Sequence, residues 1–178
     1  KLDEEGNPLS GACFALMDGG TTVAGPVCDA DGGPDGVTVF NDVERGTYTL
    51  TETQAPSDDY EPGPDQTVEI EAGQTKTVEV VNTLKPGNIL ITKLDDQGNG
   101  PIPGACFGLD RGSGIEYEAC DQQTGDNDLE EGIIYMPNIP AGEWTLIETQ
   151  APAGYAPAPN QTITVEPGQT LHLQIENQ

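Results

Sequence analysis

An internal repeat limits what this chain can fold into more than any other feature of the sequence. Lys1-Leu2-Asp3 returns as Lys93-Leu94-Asp95, and Gly11-Ala12-Cys13-Phe14 as Gly104-Ala105-Cys106-Phe107. Glu52-Thr53-Gln54-Ala55-Pro56 returns as Glu148-Thr149-Gln150-Ala151-Pro152, Gly73-Gln74-Thr75 as Gly168-Gln169-Thr170, and Asn82 as Asn177. The offset opens at 92 residues, widens to 96 and settles at 95. The drift comes from short insertions, mainly between Cys120 and Gly132, where loops absorb them. A repeat of this length implies two small domains, 1–85 and 86–178, each close to a typical minimum size. The linker around residues 83–87 is short, so a semi-rigid pair is expected.

Each unit reads as all-β. Tyr48-Thr49-Leu50-Thr51-Glu52 alternates apolar and polar residues, as does Trp144-Thr145-Leu146-Ile147-Glu148. Leu171, Leu173, Ile175 and Asn177 share one strand face, as do Val78, Val80 and Asn82. Such runs lie between Gly, Pro, Asn and Asp clusters, and no window carries a helical period. About seven short strands per unit are expected, arranged as an Ig-like or prealbumin-like β-sandwich.

Bulk composition removes several functions. There are 31 acidic residues against 6 basic ones, a net charge of -25. Such a chain cannot neutralise phosphates, so no nucleic-acid partner is expected, and an anionic membrane surface would repel it. No apolar run is long enough to span a bilayer. With one His and no evident nucleophile–base pair, a conventional hydrolase does not fit. No signal peptide, sorting motif or tag is visible, so the chain reads as an interior piece of a longer protein.

Four cysteines allow three pairings. The repeat favours the two local ones, Cys13–Cys28 and Cys106–Cys120, and paired cysteines imply an oxidising compartment. Without C-x-x-C spacing or a nearby His, zinc is a poor fit.

The polar residues on inward faces carry the chemistry. Alternation puts Lys93 with Ile89 and Ile91, Glu148 with Trp144 and Leu146, and Asn177 with Leu173 and Ile175. Lys1, Glu52 and Asn82 repeat the pattern in the first unit. An amine, a carboxyl and an amide aimed at one apolar core are costly unless they satisfy one another. Burial lowers an amine's pKa and raises a carboxyl's. A neutral amine held against an Asn side chain gains a large effective molarity. The expected product is an isopeptide bond from Lys Nζ to Asn Cγ with release of ammonia, the Glu serving as general acid and base. The alternative is a buried salt bridge with an accessory amide.

The strings K-L-D-x-x-G-N, G-A-C-F, G-T-Y-T-L-T-E-T-Q-A-P and V-V-N together resemble the Cna B-type domains, also called SpaA-like or prealbumin-like, of bacterial surface adhesins and pilins. The resemblance covers essentially the whole chain, twice. It implies autocatalytic Lys–Asn bonds beside a Glu: Lys1–Asn82 with Glu52, and Lys93–Asn177 with Glu148. It also implies a structural stalk module at a Gram-positive cell surface, whose partners are neighbouring repeats of the same parent. No multiple-turnover enzyme activity is expected. Two other roles stand beside it: a ligand-binding adhesin region, possibly calcium-dependent, and an accessory domain of a secreted enzyme. The paired cysteines depart from the family pattern and suggest an added staple. Lys1 is also the first residue, so the strand leading into Lys93 has no counterpart before it.

Trp144 and Tyr48 are expected to pack beside the Glu of their unit, and His172 to face solvent. Asp29, Asp31 and Asp35 lie in a loop with some likeness to a calcium loop, and the second unit offers Asp121, Asp126, Asp128, Glu130 and Glu131. Carboxylates with Gly suit calcium, but the ligand order of an EF-hand is incomplete and D-x-D-G is ordinary hairpin chemistry. No metal site and no cofactor are therefore assigned.

Overall fold

The computed structural model describes residues 1–29, 35–97 and 99–177. Contacts divide the chain into Lys1–Leu84 and Lys85–Gln178. Among the described residues every regular element is a strand, and no helix is long and apolar enough to cross a membrane.

In the first unit the G-A-C-F motif opens β1 (Cys13–Asp18), which turns back at Gly19-Gly20 into β2 (Thr21–Cys28). Both turn glycines have positive φ, which a tight hairpin requires and a Cβ disfavours. β3 (Gly46–Gln54) and β4 (Gln66–Ile70) complete an antiparallel sheet of order β2-β1-β3-β4.

The second unit repeats this sheet and adds another. It comprises β5 (Gly87–Asp95), β6 (Cys106–Asp110), β7 (Ile115–Cys120), β8 (Ile133–Ile139), β9 (Gly142–Gln150), β10 (Gln161–Val165) and β11 (Thr170–Asn177). One sheet has the order β10-β9-β6-β7 and the other β11-β5-β8. Strand β5 is central: it pairs antiparallel with β8 and parallel with β11, Lys93 lying opposite Ile175. Its exposure alternates along the strand, with Ile89, Ile91 and Lys93 all at 0%. The two sheets close over Phe107, Leu109, Ile134, Trp144, Val165 and Ile175, and the unit is a β-sandwich.

Seven strands form in the second unit, but four in the first among the described residues. The expectation of about seven in each is corrected there. Residues 37–41 correspond to β8 and residues 75–82 to β11, and neither stretch forms a strand. What survives is one parallel bridge, Leu2↔Val81, which continues the register of Leu94↔Glu176 in β5 and β11. The core is correspondingly thin: Ala12, Phe14 and Val80 are buried, with Phe40, Leu50 and Val78 partly so. Beside them lies an open cavity of about 870 Å³.

Candidate functional site

In each unit three polar side chains are buried where alternation aims them inward. Lys93 is 0% exposed, Asn177 1% and Glu148 7%. Lys93 and Asn177 come from neighbouring parallel strands, β5 and β11, and Glu148 faces them from β9 in the other sheet. Lys93 Nζ donates to the carbonyls of Leu94 and Ile175, both at 2.9 Å. Asn177 Nδ2 donates to Glu148 Oε1 at 3.0 Å, and the Ala158 amide donates to Glu148 Oε2 at 2.6 Å. The Asn177 Oδ1 is buried and has no hydrogen-bond partner.

The first unit builds the same set from less scaffold. Glu52 is 7% exposed and Asn82 1%. Lys1 Nζ donates to the Val80 carbonyl at 3.3 Å and lies 3.7 Å from Glu52 Oε1. Both side chains of that pair are sealed from solvent. Asn82 Nδ2 donates to Glu52 Oε2 at 3.0 Å and to the Glu61 carbonyl, and the Gly63 amide also donates to Glu52 Oε2. Here too the Asn Oδ1 is buried without a partner.

Burial shifts both amines in the same direction. Desolvation pulls the Lys93 pKa below its ordinary value, against the charges of Glu148, Glu176 and Asp95, which raise it. Lys1 is lowered for the same reason, with Glu52 opposing. A neutral amine has two N–H donors and one lone pair. At Lys93 two carbonyls are available for those two donors, which leaves the lone pair uncommitted.

The amide donors to the glutamates were not among the residues singled out from the sequence. Each lies between two prolines, Pro62-Gly63-Pro64 and Pro157-Ala158-Pro159. Proline fixes an extended chain and offers no N–H, so within each P-x-P the middle residue alone carries a backbone donor. The repeated P-x-P is the signal that could have found it.

The two disulfides are present, Cys13–Cys28 across β1 and β2 and Cys106–Cys120 across β6 and β7, each between directly opposed residues. Trp144 is 1% exposed, its Nε1 donates to the Pro140 carbonyl at 2.9 Å, and Arg111 stacks 3.9 Å over its ring. Tyr48 is half-buried and donates to the Glu44 carbonyl. His172 is exposed.

The acidic loops are occupied by backbone. Asp126 accepts from the amides of Gln122, Asp128 and Tyr135, and Asp128 accepts from Glu130. Asp121 accepts from Gly104 and Gly132. Asp35 accepts from Val37, Asp29 is buried, and Asp31 lies outside the described residues. Among the described residues no group of three His, Cys, Asp or Glu side chains is arranged to hold a metal ion.

The family model of the SpaA prealbumin-like fold domain matches this chain twice, over residues 1–84 and 87–178. Among solved structures, the TIE protein of Bacillus anthracis is similar at 25% identity and a TM-score of 0.51. That match covers 99% of this chain and 32% of the TIE chain. The minor pilin GBS52 of Streptococcus agalactiae is similar at 16% identity and a TM-score of 0.41, covering 98% of this chain and 85% of that one. The shaft pilin spaA of Lactobacillus rhamnosus GG is similar at 15% identity and a TM-score of 0.39, covering 96% and 88%. No curated protein matches the chain.

Proposed function

This chain belongs to the SpaA prealbumin-like family, with two domains in tandem, and from that premise we propose that it is a self-crosslinking structural module of a bacterial surface protein or fibre. The observation that carries the reading is the buried amine–carboxyl–amide set, built twice with the Asn side chain donating to the Glu in both units. A lone buried Lys is a liability; a buried Lys whose pKa is lowered by desolvation, beside an Asn held by a Glu, is a reactant.

The reaction is amide exchange. The neutral Lys93 Nζ attacks Asn177 Cγ, the Cγ–Nδ2 bond breaks, and the Nζ–Cγ bond forms. Glu148 takes the proton released from Nζ and delivers it to Nδ2, which leaves as ammonia, so atoms and charge balance without a co-reactant. Asn177 Nδ2 donates to Glu148 Oε1, so the carboxylate that takes the proton already touches the nitrogen that leaves. Lys1, Asn82 and Glu52 take the same parts in the first unit. Each domain reacts once, and no external substrate or cofactor enters.

Position gives the bond its purpose. It joins the strand by which the chain enters a domain to the strand by which it leaves. Tension then passes from Lys93 to Asn177 through a covalent bridge and bypasses the residues between them. The disulfides and the charge of -25 suit an oxidising, extracellular setting, with neighbouring repeats of the parent as partners. Single-molecule pulling on the oxidised chain tests the mechanical claim. Each unit is expected to withhold roughly 280 Å of contour length, the extent of about 80 extended residues. Release of that length from both wild-type units would overturn the reading.

A further inference from the structure

Asp121 is 5% exposed and has no part in the amide exchange above. Its two carboxylate oxygens hold two different loops: Oδ2 accepts from the Gly104 amide at 2.8 Å and Oδ1 from the Gly132 amide at 3.1 Å. Gly132 in turn accepts the backbone N–H of Lys93 at 2.8 Å, and the Lys93 carbonyl accepts from Ile102, also at 2.8 Å. Asp121 itself is anchored. It follows Cys120, which is bonded to Cys106, and its own amide donates to Ala105 at 2.9 Å. A continuous line of contacts thus runs from the disulfide hairpin through Asp121 and Gly132 to the backbone of the reactive lysine. A carboxylate suits this post because it only accepts, and two converging N–H groups need an acceptor on each side. Gly132 has little freedom to move: it sits at φ +74°, and a Cβ there would lie 2.6 Å from the Ile102 nitrogen and from Pro101 Cβ.

The first unit supplies an internal comparison. Asp29 follows Cys28 as Asp121 follows Cys120, and its amide donates to Ala12 at 2.9 Å. Gly36 takes the place of Gly132, accepting from the Lys1 nitrogen, and Leu9 takes the place of Ile102. Yet Asp29 Oδ2 is buried with no partner among the described residues. The contact of lysine with glycine is made in both units; the complete carboxylate tie is made at Asp121.

We propose that Asp121 is the positioning residue of the second unit, fixing the Lys93 backbone through Gly132 so that Nζ is set for Asn177, and that Asp29 does not do this for Lys1. This rests on the amide-exchange reading. It accounts for a buried carboxylate that the sequence offered only as a calcium candidate.

The test follows bond formation in the full chain made by cell-free synthesis under oxidising conditions, with ammonia loss assigned to each unit by peptide mapping over time. Asp121→Ala is expected to slow the Lys93–Asn177 bond by about tenfold or more, since small misplacements of reacting groups cost rate steeply. The Lys1–Asn82 bond of the same molecules should form at the wild-type rate. Asp121→Asn keeps one acceptor and should fall between. The pH dependence of the residual reaction should keep its wild-type inflection, because the proton-transfer groups are untouched. Asp29→Ala should leave the first bond's rate within about twofold, the same steep dependence not being engaged there. A second-unit rate unchanged in Asp121→Ala, or equal slowing of both units, overturns the proposal. If Asp121→Ala does not fold, Asp121→Asn decides, and a wild-type rate there overturns it. A wild type that loses no ammonia defeats the exchange reaction and this proposal with it. A wild type that reacts, beside a variant that reacts equally fast, defeats this proposal alone.

Discussion

Replacing Glu148 by Gln isolates the carboxyl group from its shape. Gln keeps an oxygen that can accept from the Ala158 amide, and a half-turn of Asn177 restores a hydrogen bond between the two amides. The variant cannot shuttle a proton, so the Lys93–Asn177 bond should not form. Lys93 and Asn177 lie 84 residues apart, and closing a loop of that length is worth about 4.5 kcal/mol in the chain-entropy model. The unreacted Lys93 also stays 0% exposed without its facing carboxylate, a further loss of about 1–3 kcal/mol. At about 4–8 °C per kcal/mol for a domain of this size, the closure entropy alone corresponds to a fall of about 20–35 °C in Tm. Scanning calorimetry of the full chain, with disulfides intact, resolves this as one transition moving down while that of the first unit stays. Peptide mapping should show one ammonia lost instead of two. If the second bond still forms, Glu148 is not the proton shuttle. If the bond is missing and both transitions stay within a few degrees, the stability argument is wrong.

Other outcomes follow from the same geometry. Gly63→Ala places a Cβ 2.5 Å from Val80 Cγ1 and 3.1 Å from Glu52 Oε2, so the first unit should lose about 1–3 kcal/mol by overpacking. Ala158→Gly at the matching site of the second unit should cost about 1 kcal/mol or less; equal losses in denaturant melts would contradict the pairing of these positions. In Asn177→Ala, Lys93 persists as an amine whose folded pKa lies below its unfolded value of 10.5. Its protonation therefore opposes folding below the folded pKa, and that opposition fades as pH rises toward 10.5. Stability of this variant should climb over that window in urea titrations, and a fall attributable to Lys93 would contradict the burial argument. Calorimetric titration with calcium should give no saturable heat, since Asp121, Asp126 and Asp128 already accept backbone amides; a stoichiometric heat would return those loops to the site.

The parts readable in advance were those that depend on local period. Alternation along β5, β9 and β11 is enough to put Lys93, Glu148 and Asn177 on inward faces, because a strand has one repeat and one buried side. The repeat then transfers that reading to Lys1, Glu52 and Asn82. Long-range pairing was harder. The first unit carries the apolar pattern of a second sheet at residues 37–41 and 75–82, but pattern does not say which stretches will pair, and neither forms a strand. The acidic loops needed the fold for a different reason: Asp121 and Asp126 resemble metal ligands in sequence, and the fold shows each accepting backbone amides. The Gly63 and Ala158 amides were invisible because the donor is main chain, marked by nothing except the flanking prolines.

The most direct measurement is the intact mass of the purified chain under denaturing conditions, taken with and without reductant. Two amide exchanges and two disulfides remove two ammonias and four hydrogens from the mass of the unmodified sequence, and reduction returns only the hydrogens. That deficit is the expected result. A reduced mass equal to that of the unmodified sequence would contradict the account at its centre.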